Sequence, residues 1–370
     1  MSTLRKNIVS LFILQGANYL LPLITVPYLV RVLGAENFGR IAFAQAFIQY
    51  FVVLTDYGFN LSATRSIALV RDDPERLSSL FSAVMIVKSA LMVLGFGMML
   101  LIVKLVPGFD RDWSLYVVVY LIVVGNVLFP IWLFQGLERM RHITTLTLLA
   151  RTLVVIAIFV FVHQRGDYRL AAALQAGGMV IAGLLALAVI PRLVHMRMRW
   201  PGVAQLRQVM VDGWHVFLST AAISLYTSSN VFFLGLLTNS TTVGYFAAAE
   251  KLIKAVQGLI TPVSQAVYPH IATLAARSRE AALVFIGKLL RVQGIATLIL
   301  SFLLFILAEP LVHLLLGSRF QASVGLVEWM AALPFVIGLS NVFGIQTMLN
   351  FDMKQTFSLI LVASGLITLR

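Results

Sequence analysis

Residues 79–103 read SLFSAVMIVKSALMVLGFGMMLLIV and contain one charged side chain, Lys88. A helix that crosses a bilayer needs ~20 consecutive apolar residues, so this stretch is long enough to span a membrane. The same composition extends over the whole chain, because 60% of the 370 residues are hydrophobic and only 12% are charged. A soluble fold cannot bury that much apolar surface. The sequence therefore predicts an all-α integral membrane protein.

Eleven apolar stretches are predicted as membrane spans. They are 8–30, 41–63, 79–103, 115–134, 145–163, 171–191, 213–237, 244–267, 286–308, 324–349 and 356–370. The last stretch stops at Arg370 after about fifteen residues, which is short for a full crossing. We therefore expect a twelfth span beyond it.

The basic residues lie in short runs between the apolar stretches, and the formal net charge is +13. Nucleic-acid binders instead cluster their Lys and Arg on one face or tail, so nucleic-acid binding is set aside. Most of the loop Lys and Arg fall on one predicted side of the membrane. The positive-inside rule then places the amino terminus in the cytoplasm.

A weak internal repeat is visible at an offset of 205 residues, where Gly39 aligns with Gly244 and Ala42 with Ala247. Six spans return the chain to its starting side, so both halves would share one orientation. This predicts two six-helix lobes related by a parallel repeat, with a cleft between them. The predicted boundaries are 1–191 for the amino-terminal lobe, 192–212 for a cytoplasmic linker and 213–370 for the carboxy-terminal lobe.

Five ionisable side chains inside predicted spans stand out: Asp56, Lys88, Glu250, Lys251 and Lys254. Each costs ~2.5–3.5 kcal/mol on insertion scales, so such groups mark interior or functional surfaces. Glu250 and Lys254 are four residues apart and share a helix face, which favours an ion pair. Asp56 and Lys88 lie on neighbouring spans and could pair across helices. Both pairs also fit a purely structural role that ties helices together.

The lysines bear on the class of substrate. A pyrophosphate group that crosses a bilayer needs positive charge in a water-filled cavity to offset its desolvation. Lys88, Lys251 and Lys254 could supply that charge, with Arg31 and Arg65 at the cavity mouths. The alternative for the two arginines is that they only extend to the membrane interface.

Two prolines, Pro22 and Pro27, lie in the first predicted span, and Asn18 lies one turn before them. A proline removes one hydrogen bond of a helix and bends it. A hinge that lines the cavity and a static kink are both consistent with this pattern.

Neither a metal nor a cofactor is predicted. The pair Asp72 and Asp73 precedes Pro74 and reads as the start of a helix rather than as a metal site. The histidines match no metal-ligand spacing, and no phosphate-binding glycine loop is present, so transport driven directly by ATP is not expected.

Four stretches of sequence resemble one protein family. They are QGANY at 15–19, PYLVRVLG at 27–34, TDYGFNLSATR at 55–65 and VGYFAAAEK at 243–251. Together they are similar to Wzx-type O-antigen flippases, the polysaccharide transporter branch of the multidrug/oligosaccharidyl-lipid/polysaccharide exporter superfamily. The motif-matched ionisable residues are Asp56, Arg65, Glu250 and Lys251. Lys88 and Lys254 rest on the charge argument alone.

The resemblance implies a flippase that moves undecaprenyl-pyrophosphate-linked sugar repeat units across a bacterial inner membrane by alternating access. It also implies coupling to an ion gradient, and Asp56 and Glu250 are the candidate coupling groups because they are acids inside the membrane. Besides the substrate and membrane lipids, a polysaccharide polymerase and a chain-length regulator are expected as partners.

Two rival classes remain. A multidrug exporter of the same superfamily would favour an acidic or aromatic cavity, whereas the five intramembrane side chains singled out above are three lysines and two acids. A membrane enzyme such as a glycan polymerase needs catalytic groups on a sizeable loop, and no loop offers a nucleophile–base pair. The prediction is a transporter and not an enzyme.

Overall fold

The computed structural model describes residues 3–194, 200–258, 261–348, 350–351, 353 and 360. Within these ranges the backbone is helical and contains no strand, as predicted. The α-helices are α1 (Thr3–Asp56), α2 (Phe59–Val70), α3 (Pro74–Leu105), α4 (Trp113–Val119), α5 (Leu121–Leu128), α6 (Ile131–Gly136), α7 (Met140–Phe161), α8 (Tyr168–Leu193), α9 (Val203–Ser228), α10 (Asn230–Leu237), α11 (Ser240–Gln257), α12 (Thr261–Arg277), α13 (Arg279–Ile306), α14 (Ala308–Leu315), α15 (Ala322–Met330) and α16 (Leu333–Ser340). A π-helix, Asn341–Met348, follows α16 directly.

Seven stretches of the described residues are long and apolar enough to cross a bilayer. They are Leu21–Val70, Pro74–Leu105, Asp110–Gly136, Met140–Phe161, Arg165–Leu193, Arg279–Ile306 and Ala322–Met348. The chain is therefore a multi-pass membrane protein. The predicted spans 213–237 and 244–267 are not among the seven. One reason is that α11 carries Glu250, Lys251 and Lys254 within its 18 residues. The predicted span 356–370 lies outside the described residues, apart from residue 360.

The first predicted span, 8–30, and most of the second, 41–63, lie in α1, which consists of two helical segments joined at a kink. Its backbone leaves the helical region at Gly34, where φ is 76° and ψ is 171°. Pro22 and Pro27 both lie inside the helix. The kink thus falls at the glycine, which adopts positive φ without steric cost.

A sharp break separates α1 from α2. Tyr57 (φ 43°) and Gly58 (φ 75°) both have left-handed backbone conformations. The middle of α9 packs closely on this break: a Cβ atom on Gly58 would lie 2.7 Å from the Cβ of Val216. The ring of Tyr57 stacks on Phe217 with 4.9 Å between centroids. Tertiary packing therefore holds the break, which ends α1 at Asp56.

Small residues allow the helices beyond this break to approach closely. A Cβ atom on Gly125 of α5 would lie 2.4 Å from the backbone of Met179 in α8. A Cβ atom on Gly178 of α8 would lie 2.4 Å from Val154 of α7. These contacts agree with the close packing that small residues permit between membrane helices.

The chain divides into two compact units. The first holds Asn37–Ser240 together with the start of α1 up to Leu14, and the second holds Gln15–Glu36 and the chain from Thr241 onward. The division differs from the predicted lobes, since α9 and α10 group with the first unit and part of α1 with the second. The lobes 1–191 and 213–370, the linker 192–212 and the internal repeat remain predictions.

Candidate functional site

In the first unit, Lys88 of α3 forms an ion pair with Asp56 at the end of α1. The Lys88 Nζ lies 2.9 Å from the Asp56 Oδ1. The lysine side chain is 1% exposed and the aspartate side chain 20% exposed. The predicted pairing of these two residues is confirmed. Because a carboxylate at a helix carboxy terminus opposes the helix dipole, the lysine also offsets an unfavourable position of Asp56.

Two amide side chains complete this arrangement. The Lys88 ammonium also donates a hydrogen bond to the Asn126 Oδ1 at 3.3 Å. The Asn60 Nδ2 donates to the Asp56 Oδ2 at 3.3 Å. We call these four residues the Asp56 network; it joins α1, α2, α3 and α5. The formal charge of the network is zero, and the Lys88 ammonium contacts both Asp56 and Asn126.

Sequence reasoning did not assign Asn60 or Asn126 to a site, although a signal for each was present. Asn60 follows Asp56 by four residues, and Asn126 is an amide within the otherwise apolar predicted span 115–134. A buried amide in a membrane span needs a hydrogen-bond partner, so each could have been flagged. Which residue each contacts depends on the tertiary structure.

In the second unit, Glu250 and Lys254 of α11 form the predicted ion pair. Their carboxylate oxygen and Nζ are 2.9 Å apart, and the side chains are 17% and 52% exposed. The opposite face of α11 is buried and includes Ala248 and Leu252. Lys251 is exposed, and it forms no ion pair with any other described residue. This face of α11 thus carries two accessible ammonium groups and one carboxylate.

Arg31 has a local structural role in the second unit. Its Nη2 donates a hydrogen bond to the carbonyl oxygen of Leu314, in the last turn of α14. The carbonyls of a final helical turn have no partner within the helix, so the guanidinium caps α14. Whether Arg31 also contacts a substrate remains a prediction.

The remaining predicted site residues are distributed between the units. Arg65 lies exposed on α2 of the first unit. Pro22, Pro27 and Asn18 lie on the part of α1 that belongs to the second unit, and the Asn18 side chain is outside the described residues. The hinge role of these three positions stays a prediction. No group of three His, Asp or Glu side chains that could hold a metal occurs in the described ranges.

A buried polar cluster in the second unit was not predicted. Ser264 donates a hydrogen bond to the Asn341 Oδ1 at 2.6 Å, and the Gln346 amide donates to the Ser264 carbonyl at 3.0 Å. The π-helix brings Asn341 to the hydroxyl of Ser264 in α12 and Gln346 to the backbone carbonyl of the same residue. It widens the helix by one residue per turn, a distortion that sequence periodicity does not reveal.

Comparison with known proteins agrees with this description. A family model described as "Polysaccharide biosynthesis protein" matches residues 4–275. A candidate O-antigen transporter of Escherichia coli (strain K12) is 39% identical over 376 residues, which cover 99% of this chain and 88% of that protein. A candidate O-antigen transporter of Shigella dysenteriae is 29% identical over 366 residues, covering 99% and 91%.

A solved structure has the same fold. It is the inward-facing conformation of a multidrug resistance MATE family transporter of the MOP superfamily, with a TM-score of 0.70 and 16% identity. The match covers 94% of this chain and 84% of the other. The fold and the intramembrane charges therefore define a multi-pass helical protein with a transporter fold. The chain belongs to the polysaccharide biosynthesis protein family, as its sequence motifs predicted. The relatives and the solved structure are all described as transporters, in agreement with the prediction of a transporter and not an enzyme.

Proposed function

We propose that this protein is a flippase for a lipid-linked oligosaccharide. The substrate would be an undecaprenyl-pyrophosphate-linked repeat unit of O-antigen or a similar polysaccharide, moved from the inner to the outer leaflet of a bacterial inner membrane. The names of the two relatives support this class of substrate. The observation that carries the proposal is the pair of accessible lysines, Lys251 and Lys254, beside the single acid Glu250 on α11, because that excess of positive charge suits an anionic head group.

The head group would bind to α11 rather than to Lys88. Lys251 is exposed without an ion pair to another described residue, and Lys254 is half-exposed. Lys88 is buried and held by Asp56 and Asn126. A pyrophosphate could therefore reach the two α11 ammonium groups without disrupting a buried network, whereas reaching Lys88 would first leave Asp56 unpaired.

Glu250 gives this site a means of coupling to a proton gradient. While Glu250 is ionised it competes with the substrate for Lys254, 2.9 Å away. A proton on Glu250 would remove that competitor and leave two lysines for the pyrophosphate. Loss of the proton would restore the ion pair and favour release of the substrate. A cycle of alternating access needs such a difference in affinity between its two states.

The proposed orientation in the membrane and the proposed partners both follow from the flippase function. The amino terminus would be cytoplasmic, so that the head group enters from the leaflet where it is assembled. A polysaccharide polymerase and a chain-length regulator would act on the product and are proposed as partners.

The experiment uses proteoliposomes that contain the full-length protein and a fluorescent polyprenyl-pyrophosphate oligosaccharide. A membrane-impermeant quencher reports the leaflet of the label, with and without an imposed pH or sodium gradient. We expect faster movement than in empty liposomes. The double variant Lys251→Gln with Lys254→Gln should abolish it, while Lys104→Gln, at the exposed end of α3, should not.

Two results would contradict the proposal. One is that the label does not move under any gradient in protein shown to be folded. The other is that the double variant transports at the normal rate. The first result would direct the next test to drug efflux, and then to glycan polymerisation.

A further inference from the structure

An apolar pocket of about 480 Å³ lies between helices α13, α15 and α16 of the second unit. Its walls include Leu298, Phe302, Phe305, Glu328, Trp329 and Phe335. Most of these side chains are large and hydrophobic, and all belong to stretches that are apolar enough to cross a membrane. The flippase proposal assigns no role to this pocket.

The pocket lies near one end of its helices. Phe302 and Phe305 are in the last turns of α13, which ends at Ile306. Glu328 is less than two turns into the membrane stretch that begins at Ala322, a distance of ~9 Å along the axis. Because the chain between these two stretches is the connection at one membrane face, both sets of residues lie near that face. The mouth of the pocket is therefore at the depth of the lipid head groups.

The exposed aromatic residue at the mouth supports this depth. Trp329 is 89% exposed and Phe302 is 62% exposed. Tryptophan is enriched where the hydrocarbon meets the head groups, because its ring is apolar and its indole N–H is polar. Exposed phenylalanine on a membrane helix is suited to contact with acyl chains.

Glu328 is the charged side chain of the pocket wall. It forms no ion pair and its carboxylate accepts no hydrogen bond from any other residue that the structure describes. Sequence reasoning did not include it among the intramembrane acids, although it lies inside the predicted span 324–349. A carboxylate next to hydrocarbon is unfavourable unless a cation accompanies it. In a bilayer, the abundant cation at this depth is the ammonium of a lipid head group.

We propose that this pocket binds a bilayer lipid with a primary ammonium head group, such as phosphatidylethanolamine. The ammonium donates a hydrogen bond to the Glu328 carboxylate at the level of Trp329. One acyl chain lies against Leu298, Phe302 and Phe335. Three N–H donors make a primary ammonium a better partner for a carboxylate than a trimethylammonium, which has none. The site thus distinguishes phosphatidylethanolamine from phosphatidylcholine.

Native mass spectrometry of the detergent-purified full chain tests this directly. Phosphatidylethanolamine, phosphatidylcholine and phosphatidylglycerol with identical acyl chains are titrated separately, and bound lipid is counted per protein. We expect phosphatidylethanolamine to bind about three- to fivefold more tightly than phosphatidylcholine, which is the upper part of the range of an exposed charge pair. Glu328→Gln should remove this preference. Glu309→Gln is the matched control, because Glu309 is an exposed acid on α14 outside the pocket wall.

Two further variants keep the test decisive if Glu328→Gln folds poorly. Glu328→Asp should retain the preference, and Glu328→Lys should reverse it in favour of anionic phosphatidylglycerol. Equal binding of the three lipids to the wild type would overturn the proposal, as would a preference that persists in Glu328→Gln. If tetraphenylphosphonium binds in a Glu328-dependent manner while the lipids bind equally, the pocket takes organic cations and the lipid proposal is wrong.

Discussion

The ammonium of Lys88 lies 2.9 Å from the carboxylate of Asp56, and the lysine side chain is 1% exposed. Asp56 is the last residue of α1, directly before the left-handed pair Tyr57 and Gly58. A buried ion pair contributes little net stability compared with apolar packing, yet removing one partner leaves an uncompensated charge. The pair therefore links α3 to the end of α1, and losing either partner leaves the other charge unpaired.

Lys88→Met is expected to destabilise the protein by roughly 3 kcal/mol, because it leaves Asp56 without its cation. The additional change Asp56→Asn should recover most of this loss, since no charge then remains unpaired. Thermal unfolding in detergent, in which size-exclusion chromatography reports the folded fraction at each temperature, measures both effects. Lys104→Met, at an exposed position, is the control and should leave the midpoint unchanged. If the double variant is as unstable as Lys88→Met, the loss of stability does not come from the unpaired Asp56 carboxylate.

Gly58→Ala is expected to destabilise the break between α1 and α2 by about 2 kcal/mol or more. The backbone has φ +75° there, and the new Cβ would lie 2.7 Å from Val216 and 2.8 Å from the amide nitrogen of Phe217. Both left-handed strain and overpacking oppose the substitution. Gly97→Ala in α3 is the matched control, because nothing lies within 4 Å of its Cβ position. That change should be neutral or slightly stabilising in the same thermal assay.

The parts of this structure that the sequence predicted are those that depend on composition or on local spacing. The all-helical membrane class follows from hydropathy, and the Glu250–Lys254 pair follows from a separation of four residues on one helix. The pairing of Asp56 with Lys88 was predictable because two opposite charges on neighbouring spans have few other partners. Each of these inferences uses a rule that holds without knowledge of the tertiary structure.

The parts that were missed depend on tertiary contacts. Asn126 approaches Lys88 only because α5 packs beside α3, and Arg31 reaches a carbonyl 283 residues away in sequence. The kink of α1 falls at Gly34 rather than at the two prolines, and the next residue, Ala35, lies in close contact with Gly244. The positions of the glycines in the sequence do not show that Ala35 and Gly244 come into contact.

Arg31→Gln is expected to lower the stability of the protein by about 1 kcal/mol, the usual net value of one hydrogen bond, since this contact is exposed to solvent. The physical reason is the loss of the cap on the Leu314 carbonyl at the end of α14. If capping is its whole role, transport per folded molecule in the proteoliposome assay should be unchanged. A loss of transport that exceeds the loss of folded protein would show that the guanidinium also contacts the substrate.

Glu250→Gln is expected to separate substrate binding from gradient coupling. The amide resembles the protonated acid, so Lys254 loses its anionic competitor and the head group should bind at least as tightly as to the wild type. The step in which Glu250 releases its proton and recovers Lys254 is absent, so an imposed pH gradient should no longer accelerate transport. Equilibrium binding of the labelled substrate, and leaflet exchange with and without an imposed pH gradient, report the two effects separately.

The response to an imposed pH gradient distinguishes Glu250 from Asp56. In the wild type the gradient should accelerate transport, whereas in Glu250→Gln the rate should be the same with and without it. Asp56→Asn should keep the response, because Asp56 pairs with Lys88 and takes no part in the Glu250–Lys254 pair. If the response instead disappears in Asp56→Asn and persists in Glu250→Gln, the coupling group belongs to the first unit and the role proposed for α11 is limited to binding.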